Sequence, residues 1–395
     1  MLSRLVPITS SASTFSTALL RRAPAALAPR PPRRSRSPRS IAVAPVAMSS
    51  TLDTSGTPGE TAVADVSATG AFVRKDAVFR SRITADGPHP PEAGRYHLYV
   101  SLACPWASRC LAVLGMKGLE SAISVTSVHP TWRKTRPDDP NDTHAGWAFA
   151  RPGEVFSNPA GVGSFPADNA CGEDPVAGHR FVRDVYDAVG AAPGVRYTVP
   201  ILYDKKLNTI VSNESSEIIR DLNSMFDAFA TNPGLDLYPE RLRADIDEIN
   251  EWVYHGINNG VYKSGFATSQ AAYEEAVTEL FRCMDRVEEI LSTRRYIAGD
   301  VITEADVRLF VTLVRFDEVY VVYFKCNKKC VREYPNIAGY VRDIYQTPGV
   351  RQSVNMWHIK THYFTSHPVL NANAVVPVGP EWDLDAPHGR DRAYP

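Results

Sequence analysis

The sequence predicts an α/β domain followed by an all-helical one. Three observations carry that expectation. Short apolar segments between Tyr96 and Leu222 follow the order strand, helix, strand and then strand, strand, helix. After Tyr238-Pro239 the pattern changes to long amphipathic helices. The 395 residues exceed one ordinary core, and 44% apolar side chains suffice for two.

The first segment stands apart. Eight arginines (Arg4, Arg21, Arg22, Arg30, Arg33, Arg34, Arg36 and Arg39) and many serines precede the first acidic residue, Asp53, which is transit-peptide composition. Its Ser, Pro and Ala-Pro content favours a chloroplast leader at 1–48 over a mitochondrial one, which more often opens with an amphipathic Arg helix. The best early apolar run, Ala18 to Leu20, is broken at once by Arg21, Arg22 and Pro24, so neither a membrane span nor a secretory signal is expected. Removing these arginines takes the formal net charge from −1 to −9. A mildly acidic protein of this kind is a poor nucleic-acid binder. Six cysteines in so long a chain are too sparse for a disulfide scaffold and are expected as mostly free thiols.

Residues 49–93, rich in Gly, Thr, Ser and Pro, read as an extended N-terminal arm. The α/β part is expected over 94–228. Tyr96–Ser101 alternates as a strand, and Ala107, Leu111 and Leu114 are spaced for a helix over Trp106 to Leu114, closed by Gly115 and Gly118. Ile123–Val128 predicts a second strand. A Pro- and Asp-rich insertion at about 129–195 follows, with one helix around Phe181 to Val189. Tyr197–Tyr203 and Thr209–Val211 then predict two strands about a polar turn, and Glu214–Leu222 a helix with Ile218, Ile219 and Leu222 inward.

The separate helical domain is expected over 238–350. Leu242, Ile246, Ile249, Val253 and Ile257 mark one helix, and Val277, Leu280, Phe281, Met284, Val287 and Leu291 the next. Thr303 and Asp306 make a capping box, with Ile302 and Val307 placed as a hydrophobic staple ahead of Leu309, Phe310 and Leu313. Residues 351–395 form a C-terminal extension.

Chemistry is expected at Cys104, where a strand ends and a helix begins. There the sulfur faces unpaired backbone N–H groups and the positive end of the helix dipole, both of which favour thiolate. Pro105 suits the first helical position, where no hydrogen bond is lost. The fourth residue of Cys104-Pro-Trp-Ala107 is alanine, so an external thiol must complete any disulfide chemistry. Cys110, six residues on, is rotated off that face. A buried inert thiol is the plainer alternative for Cys104. Val199-Pro200 is what a thioredoxin-like domain needs, a cis proline opposite the nucleophile, or else an ordinary edge-strand proline. Glu214-Ser215 opens a helix where N–H groups and a hydroxyl can hold a carboxylate, or where the glutamate simply caps. His358 and His362, like Cys326 and Cys330, stand at i, i+4 but lack the remaining ligands of a metal motif, so no metal is expected.

Ser101-Leu-Ala-Cys-Pro-Trp-Ala107, Thr198-Val-Pro-Ile-Leu-Tyr-Asp204 and Ile210-Val-Ser-Asn-Glu-Ser-Ser216 resemble the glutathionyl-hydroquinone reductases, the Xi class of glutathione transferases. The likeness continues through Asn258-Asn-Gly-Val-Tyr-Lys-Ser-Gly-Phe266, Leu313-Val-Arg-Phe-Asp-Glu-Val-Tyr320 and Pro387-His-Gly-Arg390, from about Ala93 to the end. It implies a glutathione transferase fold, with a thioredoxin-like domain ahead of a helical one and a homodimer as the assembly. It also implies an enzyme that takes the glutathionyl group off a hydroquinone through a mixed disulfide, with glutathione as co-substrate. By matching motif, Cys104 would be the nucleophile, and Trp147, Arg196, Val199, Glu214 and Ser215 would hold glutathione. Tyr262 would handle the proton, while Tyr320 and Tyr363 would aim hydroxyls at the sulfur. The chain departs from many bacterial members in carrying Ser108 where they have histidine, and in its insertion. Two further readings are an Omega-like thioltransferase or dehydroascorbate reductase, and a non-catalytic binding module with an idle Cys104.

Overall fold

A computed structural model describes residues 65–192 and 194–394. The expected leader at 1–48 lies outside the described residues. The arm is partly described, opening with a small antiparallel ladder of β1 (Asp65–Val66) and β2 (Phe72–Val73). It then runs extended along the body of the protein. The Asn213 side-chain oxygen accepts from Phe79 N, and Asp221 accepts from Arg82 Nε and Ile83 N.

The α/β part follows the expected order. β3 (Tyr96–Val100) is buried at every position and leads into α1 (Pro105–Lys117). α1 returns the chain to β4 (Ser124–Ser127), parallel to β3. A stretch with two short ladders follows, β5 (Arg133–Lys134) with β6 (Ala145–Gly146) and β7 (Val155–Phe156) with β8 (Phe165–Pro166), and then α2 (Val182–Ala188). β9 (Ile201–Asp204) pairs antiparallel with both β3 and β10 (Thr209–Ser212), giving the sheet order β10-β9-β3-β4. α3 (Ser215–Ser224) closes this half with Ile218, Ile219 and Leu222 buried, as its spacing predicts.

One expectation is corrected. Gly115 does not end α1. The helix runs on to Lys117 and stops at Gly118, whose φ of 66° only glycine adopts readily. Gly115 is small for another reason, because a Cβ there would press into the Gly349 carbonyl and the Gln352 amide. The insertion expected at about 129–195 contributes buried residues of its own. Trp132, Trp147 and Phe149 belong to the main core, and Ala148, Ala150, Phe156, Ala167 and Cys171 make a small cluster of their own.

The helical half comprises α4 (Arg243–Val253), α5 (Gly260–Phe266), α6 (Gln270–Leu291), α7 (Glu304–Arg315), the single turn α8 (Val321–Tyr323), α9 (Pro335–Gln346) and α10 (Met356–Thr365). At the start of α7 the Asp306 carboxylate accepts from Thr303 N and Oγ1, from Ile297 N and from the Tyr340 hydroxyl. Two π-turns, Tyr254–Asn258 after α4 and Phe316–Tyr320 after α7, widen the helices, and the first meets α1 through Tyr254 against Trp106 and Asn258 against Arg109. Buried residues of both halves, from Leu98 and Ile218 to Leu309 and Phe310, form one apolar cluster. Among the described residues, no helix is long and apolar enough to cross a membrane.

Candidate active site

Cys104 is the N-cap of α1, and Pro105 occupies the first helical position. The sulfur donates to Val199 O at 3.4 Å, and the Val199-Pro200 peptide is cis. The nucleophile candidate and the proline loop thus meet as a thioredoxin-like domain requires.

Around them lies a cleft of about 340 Å³, within the range of small-molecule sites. Five residues expected to hold glutathione, Trp147, Arg196, Val199, Glu214 and Ser215, all line it, as do Cys104, Tyr262 and Tyr363. Trp147 is buried and stacks on His362, with ring centroids 4.4 Å apart. Glu214 caps α3, its Oε1 accepting from Ser216 N at 2.9 Å and from Ser216 Oγ at 2.8 Å. Ser215 Oγ accepts from Arg109 at 3.5 Å. The capping role weighed for Glu214 is therefore real, and its carboxylate still belongs to the cleft wall.

The tyrosines depart from expectation. Their hydroxyls bond to one another, Tyr363 to Tyr262 at 2.6 Å and to Tyr320 at 3.0 Å. Among the described residues, neither Tyr320 nor Tyr363 makes a hydrogen bond to Cys104. Burial raises all three phenols, so they stay protonated at neutral pH and can donate.

The thiol departs as well. Burial pushes the Cys104 thiol above its ordinary value, while the N–H groups of Ala107 and Trp106 and the charges of Arg315 and Arg74 pull it down. The helix terminus acts in the direction its placement predicts, but desolvation outweighs it.

Sequence reasoning missed several residues that shape the site. From the arm, Arg74 lies over Trp106 at 4.6 Å and Tyr262 at 5.1 Å and bonds Asn259 Oδ1 at 2.6 Å. Arg74, Lys75, Asp76, Ala77 and Val78 all border the cleft. Arg315 bonds the loop before Cys104 and also Ser108. The only hint in the sequence was that Arg315 falls within the matched segment ending at Tyr320.

The two i, i+4 pairs weighed as ligands do not act together. His362 Nδ1 meets Pro130 O and Ser366, and Cys326 bonds Phe324 O. His358 meets Asp168 at 2.8 Å, with Cys171 beside them. The atoms of that trio lie within 4.8 Å of one another, which a metal could bridge. His358 Nε2 and Asp168 already satisfy each other there, and the trio does not border the cleft.

Comparison with known proteins places this geometry. Residues 103–225 match the N-terminal domain of glutathione S-transferases and 270–343 the C-terminal domain. Glutathionyl-hydroquinone reductase YqjG of Escherichia coli (strain K12) is 46% identical over 330 residues, 82% of this chain and 93% of that protein. The chain belongs to the glutathionyl-hydroquinone reductases, the Xi class of glutathione transferases. The glutathione-bound structure of YqjG superposes with a TM-score of 0.71 at 45% identity, over 80% of this chain and 97% of that one. The glutathione-S-transferase Xi of Phanerochaete chrysosporium gives 0.70 at 48% identity, over 80% and 95%. In this Xi-class chain, Cys104 meets the cis-Pro200 loop through Val199 O, and all three residues line the cleft.

Proposed function

We propose that this protein is a glutathionyl-hydroquinone reductase working through Cys104. One observation carries the reading: a single cleft brings together the Cys104 sulfur at a helix N-terminus, polar groups suited to a tripeptide, and the hydrogen-bonded, buried Tyr262 and Tyr363.

The Cys104 thiolate attacks the glutathione sulfur of the substrate. The carbon–sulfur bond breaks, its electron pair returns to the ring carbon, and that carbon takes a proton from the Tyr262–Tyr363 cluster as hydroquinone leaves. A second glutathione thiolate attacks the Cys104–glutathione disulfide, releasing oxidised glutathione and restoring Cys104. Trp147, Arg196, Val199, Glu214 and Ser215 bind the tripeptide in this scheme. The named relatives and the glutathione-bound neighbour support it.

The decisive experiment incubates the purified protein and its Cys104→Ser variant with a glutathionyl-hydroquinone and free glutathione, following hydroquinone and oxidised glutathione. Release by the wild type alone is expected, and equal release by both would overturn the scheme.

We further propose delivery to the chloroplast and assembly as a homodimer. The arginine-rich, acid-free leader supports the first. A fluorescent fusion of the leader, and light scattering on the purified protein, test the two.

A further inference from the structure

Arg315, the last residue of α7, has no exposed surface. All of its hydrogen bonds go to neutral oxygens. Nε donates to Ala103 O at 3.2 Å and Nη1 to Val311 O at 2.6 Å. Nη2 donates to Leu102 O at 3.3 Å and to Ser108 Oγ at 2.7 Å. No carboxylate among the described residues forms an ion pair with it. Arg308, on the same helix and nearly as buried, pairs with Glu304 at 2.8 Å.

A guanidinium stays protonated inside a protein, and a buried charge without a partner is costly. The carbonyl end of α7 offsets part of that cost through its dipole. The rest calls for an anion. Leu102 and Ala103 immediately precede Cys104, and Ser108 lies one turn into α1, so the guanidinium grips the chain on both sides of the cysteine. Its charge favours the anionic form of Cys104, and of Tyr320 and Tyr363 as well.

We propose that Arg315 is the built-in counter-charge of the Cys104 thiolate and the clamp that holds the loop presenting it. It is a positioning residue, acting through Cys104 without touching substrate. The proposal rests on the reading of Cys104 as nucleophile. Ser108 completes the clamp. The other groups that act on the sulfur electrostatically include Arg74 from the arm, Tyr262 from α5, Cys110 from α1, and the N–H groups of Trp106 and Ala107.

The test is the pH dependence of Cys104 alkylation by iodoacetamide in the full-length protein, located by peptide mass. Wild type is compared with Arg315→Met, Arg315→Lys and Ser108→Ala. Loss of the cation in Arg315→Met should raise the midpoint by about one pH unit or more. Arg315→Lys and Ser108→Ala keep the cation and should stay close to wild type. An unmoved midpoint in Arg315→Met would overturn the proposal. So would a rise in Ser108→Ala as large as that in Arg315→Met. If Arg315→Met does not fold, the other two decide: unchanged midpoints support the counter-charge, and a full-unit rise in either, with the cation in place, refutes it. No hydroquinone enters the assay, so a wild type inactive as a reductase would count against the proposed function and not against this inference.

Discussion

Tyr262 and Tyr363 stand 101 residues apart in the chain and share a hydroxyl hydrogen bond of 2.6 Å. Tyr320 joins them through Tyr363 at 3.0 Å. Helix α10 therefore supplies the middle member of a three-phenol chain begun by α5 and by the π-turn after α7.

Removing that hydroxyl takes away both of its hydrogen bonds. Tyr363→Phe should lower turnover of a glutathionyl-hydroquinone by roughly 10²-fold or more, the scale of general acid catalysis. Alkylation of Cys104 should stay close to wild type, because the sulfur bonds Val199 and not the phenols. Steady-state kinetics beside alkylation rates would check this, and an unchanged kcat would exclude the cluster as the proton source.

Because burial holds the Cys104 thiol above its ordinary value, little thiolate is present at neutrality. Alkylation and turnover should both keep climbing as pH rises past about 8.5, the usual thiol value. A rate profile already flat at pH 7 would contradict this.

Asp204 ties the arm to the sheet, accepting from His89 Nδ1 and from Arg95 Nε, each at 2.9 Å. Burial raises its carboxyl, but Arg95, His89 and the N–H groups of Leu207 and Lys206 more than offset this and hold it down to about 2. A depressed folded-state value gives stability that is present above the unfolded value near 4 and is lost as pH falls toward 2. Asp204→Asn should cost about 2 kcal/mol near neutrality, with the gap to wild type narrowing as pH falls through that window. Urea unfolding of both proteins across acidic pH measures it.

Gly115→Ala should destabilise by about 2 kcal/mol, the scale of overpacking. The added methyl meets the Gly349 backbone, which cannot swing aside as a side chain would. Thermal melts would show it, and a variant as stable as wild type would mean that the 349 turn yields freely.

What could be read from the sequence was whatever local pattern decides. The β3–α1–β4 and β9–β10–α3 order, the Cys104-Pro105 helix start and the Thr303–Asp306 cap follow from spacing and capping within a few residues. Trp147 and Glu214 reached the cleft because their motifs were matched, and periodicity could not have placed them. Gly115 was misread because glycine usually ends helices, and the need for a bare Cα against Gly349 arises only in three dimensions. Arg74 and Arg315 carry no local signal at all. Apart from Val311, one turn before Arg315, their partners are Trp106, Tyr262 and Asn259 for the first, and Leu102, Ala103 and Ser108 for the second, each distant in the chain. The composition of the Pro-rich stretch at 129–195 marked it as an insertion but carried no sign that Trp132 and Phe149 would be almost completely buried.

With Phe72 packed on Tyr262 and Phe266 and Arg74 laid across Trp106, the arm forms one jamb of the doorway to the cleft. A cut upstream of Asp65 leaves the doorway whole, whereas one a dozen residues further on would remove a jamb and leave the sulfur facing a wider, wetter opening.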